Sequence, residues 1–206
     1  MNRSELVNRI RSTKSFLCVG LDTDPEKLPA ALKGKKDAVL AFNKAIIDAT
    51  APYCVAYKIN TAFYEAYGVA GWEIMEATKA HIPPTHFTIA DAKRGDIGNT
   101  SSQYAKAFFD TLGFDAVTVA PYMGADSVRP FLEHSNKWTI VLGLTSNSGA
   151  ADFELQKMGD ELLYEKVMRT VRSWGSPENL MFVVGATQAD SFVNIRRLLP
   201  DHFFLV

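Results

Sequence analysis

Short apolar runs alternate with longer amphipathic stretches along all 206 residues, and this alternation constrains the fold more than any other feature. The strand-like runs span 15–22, 54–60, 87–93, 116–120, 139–145, 181–185 and 203–206. They are rich in Val, Ile, Phe and Thr, as strands buried on both faces should be. Helical patterns fill the intervals at 37–50, 62–81, 101–112, 127–134, 160–174 and 190–199. Val39, Phe42, Ile46 and Ile47 recur at helical spacing in the first of these, and Leu162, Leu163, Val167 and Val171 do so in the fifth.

Such a series implies parallel strands joined by right-handed crossovers, in an open doubly wound sheet or a closed (β/α)8 barrel. The barrel is favoured, because polar residues recur at the C-terminal ends of several strands: Asp22, Lys58 with Asn60, Asp91 with Lys93, and Thr145 with Ser146. The turn after the first strand, Gly20-Leu21-Asp22-Thr23-Asp24-Pro25, has neither a dinucleotide-binding glycine pattern nor a P-loop. No linker or low-complexity tract interrupts the pattern, so residues 1–206 read as one barrel domain. They cover about six and a half of the eight units a TIM barrel requires. Because Phe203-Phe204-Leu205-Val206 lie within a strand pattern, the expectation is the first three-quarters of a longer protein.

Charge and cysteine usage narrow the function. Lys and Arg number 22 against 23 Asp and Glu, a net charge of −1, so no broad basic surface exists for nucleic acid. No apolar run reaches the roughly 18 residues of a membrane span. Arg3, Arg9, Arg11 and Lys14 precede an apolar stretch too short for a signal core. Cys18 and Cys54 sit in strand-like runs and read as reduced, buried thiols of a cytoplasmic protein. His81, His86, His134 and His202 lack metal-ligand spacing and are expected on the surface or in loops.

The densest chemical signal is the run from Phe87 to Thr100. With side chains alternating along a strand, Phe87, Ile89, Asp91 and Lys93 share one face, and Thr88, Ala90 and Ala92 the other. The first face would carry a carboxylate and an ammonium to the barrel mouth, with Asp96 following on the loop. Lys58 would point inward at the end of the second strand, sharing a face with Ala56 and Asn60. An isolated Asp-x-Lys is commonly a salt-bridged loop, but here Lys58, Asp91, Lys93 and Asp96 form an alternating array. Alternating charges keep one another ionised, which suits anchoring an acidic substrate and delivering a proton.

The run Asp91-Ala92-Lys93-Arg94-Gly95-Asp96-Ile97-Gly98-Asn99-Thr100 closely resembles the signature of the orotidine 5′-phosphate decarboxylase family. The likeness extends through Gly20-Leu21-Asp22, Tyr57-Lys58-Ile59-Asn60, Leu144-Thr145-Ser146-Asn147 and Val184-Gly185-Ala186-Thr187, in the family's order and over essentially the whole chain. The resemblance implies a (β/α)8 barrel acting as a homodimer, with no cofactor and no metal, that converts orotidine 5′-phosphate to UMP and CO2 in pyrimidine biosynthesis. It implies Lys93 as proton donor to C6, with Asp91 beside the substrate carboxylate and Asp96 and Lys58 completing the catalytic array. Asp22 and Lys58 would hold the ribose hydroxyls, with Asn60 beside them. Asp96, Ile97 and Thr100 would reach the neighbouring subunit's site, and Ser146 or Asn147 would contact the pyrimidine. The family's phosphate grip follows its seventh and eighth strands, so no phosphate ligand is named. Two other readings compete: a related phosphosugar barrel, such as a metal-assisted keto-gulonate-phosphate decarboxylase or hexulose-phosphate synthase, and a catalytically silent ligand-binding barrel. A Schiff-base aldolase fits less well, since flanking carboxylates keep a lysine protonated.

Overall fold

The computed structural model describes every residue except Lys36. It divides into two compact units, residues 1–92 with 110–116 and residues 93–109 with 117–206.

In the first unit, α1 (Arg3–Thr13) precedes β1 (Cys18–Gly20), α2 (Ala38–Thr50), β2 (Ala56–Asn60), α3 (Ala62–Glu65), α4 (Gly68–His81) and most of β3 (Phe87–Arg94). The hydrophobic pattern misses α1 because Leu6 is the one residue it buries. Its start is set by a capping box instead: the Glu5 N–H donates to Asn2 Oδ1 at 2.9 Å, and the Asn2 N–H to Glu5 Oε2 at 2.7 Å. The single helix expected over 62–81 is two, because Gly68 takes a left-handed φ of 59° that no helix continues through. The strands pair in parallel in the order β1-β2-β3, with Gly20 opposite Lys58 and Asn60 opposite Asp91. That register sets Lys58 and Asn60 of β2 between the end of β1 and the Ile89–Asp91 stretch of β3. Tyr57, Ile47, Met75, Phe87 and Phe114 are fully buried in this unit.

In the second unit, α5 (Gly98–Lys106) runs on into a π-helical turn (Ala107–Thr111), whose last two residues belong to the first unit. It is followed by β4 (Ala116–Val119), α6 (Ala125–Leu132) and β5 (Trp138–Leu144). A small antiparallel hairpin comes next, β6 (Lys157–Met158) with β7 (Glu161–Leu162), and then α7 (Leu163–Arg172), β8 (Leu180–Val184), α8 (Phe192–Leu198) and β9 (Phe204–Leu205). β5 pairs in parallel with β8, and β8 with β9. The β5–β8 register slips between Leu142 and Leu144. The intervening residue is Gly143, where a Cβ would lie 2.9 Å from the Val183 carbonyl oxygen. Trp138, Phe131 and Phe182 are fully buried in this unit.

His86 and His202 lie in loops, one of the two expected settings, but are buried there. Each is 4% exposed. The His86 Nε2 lies 2.9 Å from the Ala51 carbonyl, and the His202 ring packs edge-on to Phe182. No helix among the described residues is long and apolar enough to cross a membrane.

Candidate active site

Three of the charged residues singled out from sequence meet at the strand ends of the first unit. The Lys58 Nζ donates to both carboxylate oxygens of Asp22, at 3.1 and 3.0 Å, and to Asp91 Oδ2 at 3.3 Å. The Asn60 N–H also donates to Asp22 Oδ1, at 3.2 Å, while the Asn60 side chain caps the Ala62 N–H. The Asp91 side chain is only 10% exposed, against 21% for Lys58 and 33% for Asp22. Burial by itself would pull the Lys58 pKa down, but the hydrogen bond and charge of Asp22, joined by Asp91, raise it above the ordinary lysine value. Lys58 is therefore held as an ammonium. Beside it, burial pushes the Cys18 thiol up to about 12, which leaves it un-ionised and inert at neutral pH.

A second layer stands behind Asp22. Tyr64 Oη donates to the Leu21 carbonyl at 2.7 Å, and Thr23 Oγ1 donates to Asn43 Oδ1 at 2.6 Å. The Asn43 Nδ2 in turn donates to Tyr64 Oη and Thr78 Oγ1, each at 2.9 Å. Asn43 is completely buried, and its amide uses one acceptor and two donor positions within this network. The backbone on either side of Asp22 is thereby fixed from two directions.

Lys93 follows Asp91 on β3 but breaks the expected alternation. Its φ is 47°, a left-handed conformation that costs a residue with a side chain about 1–3 kcal/mol. Its N–H donates to Thr118 Oγ1 at 2.9 Å, and the next carbonyl, of Arg94, accepts the Ala120 N–H at 2.7 Å. The Lys93 side chain is exposed. Asp96 opens the following loop. Its carboxylate accepts the Ile97 N–H at 2.7 Å and its carbonyl accepts the Ser101 hydroxyl at 2.7 Å. Ile97, 61% exposed, and the exposed Thr100 lie at the start of α5.

A sequence profile of the orotidine 5′-phosphate decarboxylase / HUMPS family matches residues 15–201. The chain belongs to this family. It is 59% identical over 209 residues to the orotidine 5′-phosphate decarboxylase of Christiangramia forsetii, covering all of this chain and 77% of that one. Identity to the Phocaeicola vulgatus orotidine 5′-phosphate decarboxylase is 57% over 210 residues, with the same two shares. The solved structure of Leishmania donovani OMP decarboxylase superposes with a TM-score of 0.89 at 36% identity, covering 100% of this chain and 79% of that one. The fold is that of the (β/α)8 barrel, of which the described residues supply six strand–helix units and a further strand.

Ser146 and Asn147, the decarboxylase-like pair after β5, are exposed. They stand on a heavily pinned base. Glu154 receives the Thr145 N–H at 2.7 Å and its hydroxyl at 2.9 Å, and Gln188 Nε2 donates to the Thr145 carbonyl at 3.2 Å. The Gly185 N–H donates to the Leu144 carbonyl at 2.8 Å, and a Cβ on Gly185 would sit 2.6 Å from the Ser146 nitrogen. The Gly185 of the family-like run thus admits the Ser146 backbone at close range. The sequence did not mark Asn43, Thr118, Glu154 or Gln188. For Asn43 a signal existed, a polar residue on the apolar side of an amphipathic helix; for the others none did.

Proposed function

We infer that this chain decarboxylates orotidine 5′-phosphate to UMP and CO2, as a carboxy-lyase of pyrimidine biosynthesis. The observation that carries this reading is the Asp22–Lys58–Asp91 constellation at the ends of three adjacent strands, with Lys93 two residues beyond Asp91, in a chain of this family. Asp22 and Lys58 hold the ribose hydroxyls, Lys58 donating and Asp22 accepting, and Asn60 supports Asp22. Asp91 stands beside the substrate carboxylate. The C6–carboxylate bond breaks, CO2 departs, and the electron pair stays on C6. The Lys93 ammonium stabilises that developing charge and transfers a proton to C6, becoming an amine that solvent reprotonates. Enzymes lower barriers by about 8–23 kcal/mol, and a carbanion with no adjacent carbonyl calls for the upper end. A charge preorganised at C6 is the economical way to reach it.

Asp96, Ile97 and Thr100 act in a homodimer, reaching the neighbouring subunit's site; the exposed apolar Ile97 side chain supports that role. Ser146 or Asn147 meets the pyrimidine. The single-domain barrel works in the cytoplasm, where Cys18 and Cys54 stay as free thiols. Turnover is followed as loss of orotidine 5′-phosphate absorbance. Lys93→Ala lowers kcat by orders of magnitude in a folded protein, and near-normal turnover by that variant overturns the reading. Loss of wild-type turnover in EDTA would point to the metal-assisted phosphosugar chemistry instead.

A further inference from the structure

Lys93 carries the proton in the reading above, and its backbone is in a conformation that an extended strand does not supply. At φ 47° it leaves the pleat that holds Phe87, Ile89 and Asp91 on one face. The direction of its side chain is set by that left-handed turn and not by strand alternation. Something must hold the turn, because a lysine without a constraint returns to the extended or helical regions.

The constraint is visible in β4. Thr118 is completely buried, so its hydroxyl has a fixed position, and its Oγ1 accepts the Lys93 N–H at 2.9 Å. One residue later the Arg94 carbonyl accepts from the Ala120 N–H at 2.7 Å. The two bonds bracket Lys93, one on its own amide and one on the carbonyl of Arg94, in the Arg94–Gly95 peptide. The first is made to a side chain: an extended residue donates its N–H to a neighbouring strand's carbonyl, whereas Lys93 donates to a hydroxyl. Gly95 completes the arrangement, since its hydrogen atom faces the Ala120 carbonyl where a Cβ would lie 3.2 Å away.

We propose that Thr118 is a positioning residue for the decarboxylation, its Oγ1 holding the Lys93 backbone in the left-handed turn that aims the ammonium at C6. The proposal rests on the assignment of Lys93 as proton donor. Binding contacts made by Asp22 and Lys58 lie on other strands and do not depend on it, so the effect falls on kcat and not on KM.

Thr118→Val tests this, because valine keeps the branched shape and strand preference of threonine and removes the hydroxyl that accepts the Lys93 N–H. The Lys93 N–H bond to Thr118 is only partly buried, so water can take the freed N–H and the protein still folds. The expected result is a kcat reduced about 10- to 100-fold with KM within about threefold, and recovery of most of kcat in Thr118→Ser, which restores the hydroxyl. A second readout needs no turnover. In isotope-labelled protein, the Lys93 amide of Thr118→Val exchanges with solvent at least about tenfold faster than in wild type, and its Cα shift moves away from the left-handed value. The proposal is overturned if Thr118→Val keeps kcat within twofold while Lys93→Ala abolishes it, or if the Lys93 amide shift and protection do not change. A Thr118→Ser that fails to recover overturns it equally. If Lys93→Ala itself turns over normally, the proposed chemistry fails, and the amide measurement still decides whether Thr118 holds the turn.

Discussion

Replacing Asn43 by leucine tests whether the polar network behind Asp22 stabilises the first unit. Asn43 is fully buried and makes three hydrogen bonds, with Thr23, Tyr64 and Thr78. At about 1 kcal/mol net for each bond, their loss removes about 3 kcal/mol. The Thr23 hydroxyl, 8% exposed, also loses its acceptor, and a buried orphan donor costs a further 1–3 kcal/mol or so. Leucine gains apolar burial worth about 1–2 kcal/mol. The balance is a destabilisation of about 3 kcal/mol. With a urea m-value of about 2–3 kcal/mol/M, the unfolding midpoint falls by about 1–1.5 M. Circular dichroism and tryptophan fluorescence transitions must coincide for that conversion to hold. A double-mutant cycle sharpens the test. Thr23→Val removes the donor, so Thr23→Val combined with Asn43→Leu should be less destabilised than the sum of the single changes by about 1 kcal/mol. A midpoint within about 0.2 M of wild type for Asn43→Leu, or strict additivity in the cycle, would refute the reasoning.

Two further outcomes follow from the same physical chemistry. Thr139 on β5 is buried, and its hydroxyl has no hydrogen-bonding partner among the described residues, so Thr139→Val should raise stability by about 1 kcal/mol; a lower urea midpoint would contradict this. Lys58 has a folded-state pKa raised above its ordinary value, so its ion pairs contribute stability that is fully present below that ordinary value and is lost as pH rises through the raised one. The Tm difference between wild type and Lys58→Met should therefore stay flat from about pH 6 to about pH 10 and shrink only above it; a transition near neutrality would contradict the assignment.

The alternation of strand and helix patterns was legible in the sequence because buried parallel strands and amphipathic helices have different hydrophobic periods. So was the grouping of charge, since charges at the ends of apolar runs must be compensated by something near them. Asp22, Lys58 and Asp91 come from three separate runs, and the parallel register Gly20–Lys58 and Asn60–Asp91 brings them together. Other features had no sequence period to betray them. The capping box that starts α1 is a local side-chain geometry, and the split between α3 and α4 depends on a left-handed glycine. His86 and His202 are buried against partners distant in sequence, the Ala51 carbonyl and the Phe182 ring, which composition cannot register.

The sequence by itself therefore determined which residues carry charge at the ends of the strand-like runs, and in what order along the chain. Tertiary structure decided how each is held. Strand alternation predicts Lys93 in line with Asp91, whereas a hydroxyl from 25 residues further along the chain takes its amide and turns it left-handed. Likewise, an asparagine within an apolar helix face becomes the centre of the support behind Asp22 only when Thr23, Tyr64 and Thr78 are packed around it. Hydrogen bonds of this kind depend on positions fixed to a few tenths of an ångström. Hydrophobic periodicity specifies which face of an element is buried and leaves those positions to the packing.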